Sequence, residues 1–441
     1  MTLRRNRSQT CLKWAAFSLL FFFGPAGFCP ASRAQEQIST NPPAAYHLSP
    51  DRQQKAQALS HAAHLLHFGS EIWTLGVLWI FLASGSAAKL GASVVRKGRR
   101  GWLNSAIFSA LLTTLVFLVI EMPPGIVGHA VSLNYGISVQ PWLSWVQDCS
   151  VSFRLAVLSG TFIFMLAYFL VCWSPRRYWL WLAAALIPLT ILGIFVLPIF
   201  IDPMYDKLDR LALTHPALVT QLERVVARTG TSIPPDRMFI SRVSSKSNGL
   251  NAKVTGIGAT KRIVIWDTTA DRMPTDQILF VFAHESGHYV LNHIPKGLAI
   301  AAVGMLALFW LTARLADLLL KHFGARWNIP SLATLPGIVV LLLALSIIQF
   351  ATEPVTNTIS RFFEHEADVY GQEAIHGLVA DPQQTAVAAF NSIGSANLED
   401  PNPSPFIEFW IYDHPSTQTR ATFAAQYNPW APGQKPRFFT K

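Results

Sequence analysis

The chain alternates between long apolar runs and two polar, mixed-pattern stretches. Residues 69–88, 102–123, 153–173, 178–201, 297–319 and 333–352 are each apolar over about 20 positions, the length a helix needs to cross a hydrocarbon core of roughly 30 Å. The run 178–201 has no charged residue before Asp202, and 102–123 carries Glu121 only near its end. Four spans are therefore expected within 69–201 and two within 297–352. Residues 35–68 are polar and read as an extramembrane connector. The start has Arg4, Arg5 and Arg7, then apolar Trp14 to Phe23, then Ala31-Ser32-Arg33-Ala34. That is the layout of a signal peptide cleaved after Ala34, with a retained first membrane helix as the alternative for residues 1–34.

The stretch 202–296 has the pattern of a soluble domain. Asp209 to Val226 reads as an amphipathic helix. Met238-Phe239-Ile240 and Lys261 to Trp266 read as strands. A helix then starts after Met273-Pro274, with Thr275 as its N-cap. The polar stretch 353–441 follows the last span.

Composition agrees with the spans. Of 441 residues 51% are hydrophobic and only 14% charged, against about 25% charged in a soluble protein. The net charge of +10 suggests nucleic acid or anionic lipid. The basic residues cluster beside apolar runs, at Arg96, Lys97, Arg99 and Arg100, at Arg176 and Arg177, and at Lys321 and Arg326. This favours a lipid bilayer as partner and argues against nucleic acid, which calls for a compact basic stripe. These clusters follow the first, third and fifth spans, whereas loop 124–152 has no Lys or Arg. The basic loops are thus expected in the cytoplasm, with 202–296 and everything after 353 outside it. Cys11, Cys29, Cys149 and Cys172 form no C-x-x-C pair, so neither a disulfide framework nor a cysteine metal site is supported.

The candidate chemistry begins at His284-Glu285-Ser286-Gly287-His288. On a helix, residues four apart share a face, so two imidazoles can hold one Zn²⁺. The Glu beside the first can be the general base for a metal-activated water. A buried histidine on an apolar face is more often a core residue than a ligand, so the pentad needs partners. His293 lies five residues past His288 and is rotated by about 140° on a continuous helix, which suits a structural or supporting role. A better source of a third ligand is Asn357 to Asp368, where Glu364 and Asp368 are four apart. One can ligate while the other orients a ligand histidine; His365 and Glu366 point elsewhere on that helix.

His284-Glu285-x-x-His288 together with Asn357-x-x-Ser360-Arg361-x-x-Glu364-x-x-Ala367-Asp368 resembles the type I CAAX prenyl proteases and the related HtpX-like membrane proteases. Phe200 to Lys207, Ser247-Asn248 with Asn251-Ala252 and Gly256, and Asp413-His414-Pro415 with Arg420 resemble further motifs of the same families, in the same order. The resemblance implies a mainly α protein, a polytopic membrane helical bundle with an inserted α+β gluzincin-type zinc metallopeptidase domain. It implies one Zn²⁺ on His284, His288 and Glu364, with Glu285 activating water and Asp368 supporting a ligand histidine. It further implies that His414 stabilises the oxyanion, that Arg420 pairs with an acidic group, and that Asn251 and Ala252 lie on an edge strand where a peptide or protein substrate adds by backbone pairing.

Two departures bear on the substrate. Lys253-Val254-Thr255 stands where those families have an aromatic-rich spacer. In their eukaryotic members the zinc domain faces the cytosol, whereas the charge pattern here places it outside. General proteolysis of membrane or secreted proteins is therefore expected before processing of lipidated peptides. A non-catalytic scaffold has no need of Glu285, Glu364 and His414, and a transporter calls for ionisable groups at mid-bilayer that spans 178–201 and 333–352 lack.

Overall fold

The computed structural model describes residues 45–95, 100–256 and 261–439. The expected signal peptide, Cys11 and Cys29, and the basic residues Arg96, Lys97 and Arg99 lie outside the described residues.

Helix α1 (Pro50–Ala83) stops at Ser84-Gly85, where Gly85 takes φ 70°, and α2 (Ser86–Val94) follows. The polar connector is thus corrected from residue 50 onward: residues 50–68 form the first part of α1, in one helix with the first span. Its polar residues lie along one continuous helix, because hydropathy marks where lipid ends and not where hydrogen bonding ends. Helix α3 (Gly101–Leu115) passes through a π-helical stretch, Val116–Glu121, into α4 (Met122–Asn134). Pro123 and Pro124 cause the change of pitch, since each ring displaces the carbonyl four residues earlier. The Val119 carbonyl accepts a 2.8 Å bond from the Trp73 indole of α1, which satisfies a group that lipid would leave bare.

Helix α5 (Trp142–Trp173) and α6 (Tyr178–Val196) complete the first four spans. The chain then bends by 56° into a short helix, α7 (Asp202–Tyr205). Among the described residues five helices are long and apolar enough to cross a membrane, and six if the bent pair is one span.

The inserted domain begins with β1 (Leu208–Arg210), α8 (Leu211–Thr214) and α9 (Pro216–Thr229). The helix read over 209–226 therefore starts seven residues late. Pro216 fixes its first turn, and the Asp209 end pairs with the sheet instead. Strands β2 (Met238–Ser241), β3 (Ala252–Thr255) and β4 (Arg262–Trp266) complete a sheet of order β1-β2-β4-β3. Only β2 and β4 run parallel, and β3 is an edge. After α10 (Asp267–Arg272) comes α11 (Thr275–Val290), which carries the pentad. Pro274 holds the N-cap position with no side-chain cap, so Thr275 is the first helical residue and not the cap.

Helix α12 (His293–Trp327) is the fifth span, and α13 (Gly337–Ala374) leads from the sixth span to Glu364 and Asp368 without interruption. Helices α14 (Pro382–Asn397), α15 (Pro405–Ile411) and α16 (Thr417–Gln426) close the domain. Two cores result. One joins Leu78, Phe108, Leu112, Val171, Met305 and Val339 between the spans; the other packs Leu222, Ile263, Phe280, Phe282 and Phe390 in the protease domain. Helix α13 contributes Val339 to Ala344 to the first and Tyr370 and Ala374 to the second. Only the second core gains from leaving water, at about 1.5–3 kcal/mol for each fully buried large side chain. The first is held by van der Waals fit, since lipid tails are as apolar as leucine.

Candidate active site

Helices α11 and α13 build the site between them. His284 and His288 lie one turn apart on α11, and their Nε2 atoms are 3.3 Å from each other. Glu364 of α13 brings one carboxylate oxygen to 3.3 Å from His284 Nε2 and the other to 3.6 Å from His288 Nε2. One donor atom from each of the three falls within a common 4.8 Å. Atoms about 2.05 Å from one ion at tetrahedral angles stand roughly 3.3 Å apart, so the donor set fits a small divalent cation with one position left open.

Close helix approach makes this spacing possible. A Cβ at Gly371 would lie 2.9 Å from the His284 backbone nitrogen, and one at Gly287 would lie 3.0 Å from the Tyr370 ring. Asp368, one turn past Glu364, takes the other nitrogen of His284, with Nδ1 to Oδ1 at 2.9 Å. Arg420 of α16 grips Asp368 with two bonds, at 2.8 and 2.5 Å.

Electrostatics point the same way. Burial works against a proton on His284, but the hydrogen bonds and charges of Asp368 and Glu364 prevail and lift it to about 10. The surrounding carboxylates thus call for positive charge at this spot, which a divalent ion meets equally well. Burial lowers His288 to about 4, leaving it a neutral imidazole with a free lone pair. Burial also raises Glu285, against the opposing pull of His284.

Glu285 lies beside the edge strand, with one carboxylate oxygen 3.4 Å from the Val254 N–H. The Trp266 N–H donates to the Asn251 carbonyl at 3.1 Å, so residues 251 and 266 form a hydrogen-bonded pair. By the antiparallel alternation, Ala252 and Val254 turn their backbone groups away from β4. Asn251 stands one residue before the strand, and its backbone N–H and carbonyl are both engaged by the Thr269 hydroxyl. Asn251, with Glu285, Tyr412, Leu59 and His64, lines a cavity of about 110 Å³ that also borders His284. The last two belong to α1, so the supposed connector is a wall of the site.

His414 places Nε2 3.1 Å from Glu364 and ties Nδ1 to Asp413 at 2.8 Å. The clamp that sets it comes from the motif on α13. Asn357 donates to the Trp410 carbonyl, and Arg361 donates to the carbonyls of Glu408 at 2.8 Å and Tyr412 at 2.5 Å. Both hold the C-terminal end of α15, immediately before Asp413-His414. Ser247 and Asn248 dock the insert on the loop between α4 and α5, through the carbonyls of Ile137 at 3.1 Å and Gly136 at 2.9 Å.

Two readings of the sequence need correction. His293 is not carried 140° away, because α11 ends at Val290 and Asn292 turns the chain with φ 59°. Its Nδ1 comes back to 3.1 Å from His288 Nδ1. Glu366 does not point elsewhere; its Oε2 is 3.3 Å from His293 Nε2. Arg437, which pairs with Glu366, carries no local motif by which the sequence could have marked it.

The combination of H-E-x-x-H, a carboxylate from a later helix and membrane spans is matched by known proteins. Residues 212–427 match the family model described as peptidase family M48. Residues 33–207 match the one described as CAAX prenyl protease N-terminal, five membrane helices. The chain belongs to peptidase family M48. This M48 chain is 29% identical over 425 residues to a Bacillus subtilis (strain 168) protein named uncharacterized metalloprotease YhfN, covering 94% of this chain and 95% of that one. It is 27% identical over 334 residues to CAAX prenyl protease 1 of Saccharomyces cerevisiae, covering 72% and 71% of the two. A crystal structure of S. mikatae Ste24p superposes with TM-score 0.74 at 21% identity, over 97% of this chain and 100% of that one. The M48 chain is thus a multi-pass membrane metallopeptidase, a mainly helical bundle with an inserted protease domain.

Proposed function

We propose that the protein is a zinc-dependent membrane endopeptidase in which His284, His288 and Glu364 hold the ion and Glu285 is the general base. The observation that carries this is the 3.3–3.6 Å spacing of the three donor atoms. A zinc ion held there supplies polarisation of the scissile carbonyl and a lowered pKa for the attacking water. Glu285 takes the proton from that water and passes it to the leaving amine. His414 faces the same space and stabilises negative charge as it develops on the carbonyl oxygen. Asp368, gripped by Arg420, fixes the orientation of His284. An extended substrate segment pairs with the outward backbone groups of Ala252 and with the Val254 carbonyl, the Val254 N–H being turned to Glu285. Asn251 lines the cavity and does not lend its backbone to the pairing.

We place the protease domain outside the cytoplasm. The segments between spans that carry Lys89, Arg100, Arg176 and Arg177, and the last turn of α12 with Arg326, come by the alternation of the spans at the ends away from Glu285, which the positive-inside rule assigns to the cytoplasm. That location favours cleavage of membrane or secreted proteins. The name of the yeast relative supports a second reading, processing of lipidated peptides. The test compares wild type with Glu285→Ala, measuring bound zinc and cleavage of an unstructured protein. Zinc in both with cleavage in wild type alone is the expected result; equal cleavage, or zinc in neither, refutes the proposal. Alkaline-phosphatase fusions after residues 100, 215 and 425 test the orientation: an active first fusion with inactive second and third ones overturns it.

A further inference from the structure

We infer that His293, Glu366 and Arg437 form a positioning relay that fixes the metal ligand His288 and ties it to the C-terminal tail. The inference rests on the metal-site reading above and adds to it three residues with no assigned role in ligation.

The geometry is a chain of single links. His288 Nδ1 meets His293 Nδ1 at 3.1 Å. His293 Nε2 meets Glu366 Oε2 at 3.3 Å, and Glu366 Oε1 receives Arg437 Nη2. A neutral imidazole has one N–H and one lone pair. Glu366 faces His293 Nε2 at ion-pair distance without hydrogen-bond geometry, and its negative charge favours the N–H of His293 at Nε2 and the lone pair at Nδ1. His288 must then carry its hydrogen on Nδ1, which leaves the Nε2 lone pair facing Glu364 and His284. This is the tautomer that ligation requires, selected from behind the ring.

The relay is fixed at both ends. The His293 ring stacks on Phe363 with centroids 4.5 Å apart and planes 17° from parallel, and its side chain is 3% exposed. At the far end the wholly buried Glu373 accepts the backbone N–H groups of Arg437, Phe438 and Phe439 at 2.6, 2.7 and 3.1 Å. Phe438 and Phe439 pack on Tyr370, with centroids 5.6 and 5.0 Å away, and Tyr370 lies under Gly287 of the pentad.

The other histidine ligand is held in the same manner: His284 by Asp368, and Asp368 by Arg420. Helix α13 thus supplies one ligand and both supporting carboxylates, at positions 364, 366 and 368. Each carboxylate ends on an arginine from the C-terminal segment.

The test uses full-length protein stripped of metal and measures zinc affinity by competition with a chelator. His293→Ala and Glu366→Gln are expected to bind zinc about 10–100-fold more weakly, and Arg437→Ala about tenfold, with Arg437→Lys restoring part of the loss. The thermal midpoint of the metal-free protein should not move, which separates positioning from packing. Should His293→Ala not fold, the isosteric Glu366→Gln still decides. Unchanged affinity in Glu366→Gln overturns the relay, as does a loss that only follows a lower metal-free midpoint. Unchanged affinity in Arg437→Ala overturns the tail's part in it. A wild type that binds no zinc refutes the metal site itself, a different outcome from equal binding by wild type and variants.

Discussion

Replacing Gly371 with Ala should disable the metal site while changing no ligand. The added Cβ lies 2.9 Å from the His284 nitrogen, 3.0 Å from its Cα and 3.2 Å from its Cβ. The first of these is about 0.5 Å short of the 3.4 Å at which ordinary contact begins. The obstructing atoms are backbone in the middle of α11, so no rotamer change relieves them, and α11 and α13 must move apart by a similar amount. Metal–ligand distances hold to about ±0.2 Å, so a shift of this size separates Glu364 from the two histidines and lengthens the 2.9 Å contact of Asp368 with His284. The fold loses less. Overpacking costs about 1–3 kcal/mol, and replacing Gly by Ala inside a helix returns up to about 1 kcal/mol. The variant should therefore insert and fold, with zinc affinity at least about tenfold weaker and peptidase activity reduced at limiting zinc. Chelator competition on metal-stripped protein measures the affinity. Gly304→Ala on α12 is the control, because its Cβ meets nothing within 4 Å. Wild-type affinity in Gly371→Ala would show that helix spacing does not set the site and would refute the reasoning.

Other consequences are as direct. His414→Ala should retain zinc and lose about 10²–10³ in kcat with little change in KM, as for loss of one oxyanion donor; a rise in KM at constant kcat would make it a binding residue instead. Arg361→Ala frees the end of α15 and should reduce kcat in the same direction, and its double variant with His414→Ala should be no worse than His414→Ala alone. Glu285 is raised above its ordinary carboxylic value by burial, so its ionisation opposes folding of the metal-free protein. A raised folded pKa gives stability that is present below the unfolded pKa and lost as pH rises through the folded one. Glu285→Gln should accordingly raise the metal-free thermal midpoint at pH 7.5 and leave it unchanged at pH 4, as read by a thermal scan at the two pH values. Replacing Ala252 with Pro removes an outward N–H from the edge strand and should raise KM for extended peptides without releasing zinc.

How much of this was legible in the sequence depends on the range of the physics involved. The pentad and the spans are local: a period of four, or about 20 apolar residues in a row, is visible in one window. Boundaries were less so, because hydropathy reports on lipid and water and not on helix continuity. Both α1 and α13 run through a change of hydropathy, near residues 68 and 352, without ending as helices, and α13 does so across Pro354. This continuity is the structural basis of the site. Glu364 rides on the same helix as the sixth span, so the seating of that helix among the spans bears on how the carboxylate meets α11. The phase of His293 depended on one residue, since Asn292 in the left-handed region starts a new helix and returns the ring to His288. The partners furthest from any motif, Glu366 with Arg437 and Asp368 with Arg420, join positions that no local pattern links, and only the folded chain brings them together. A donor set divided between two helices, one of them continuous with a membrane span, needs such cross-ties, because nothing in α11 alone would hold two imidazoles and a carboxylate from 76 positions later within 3.6 Å of each other.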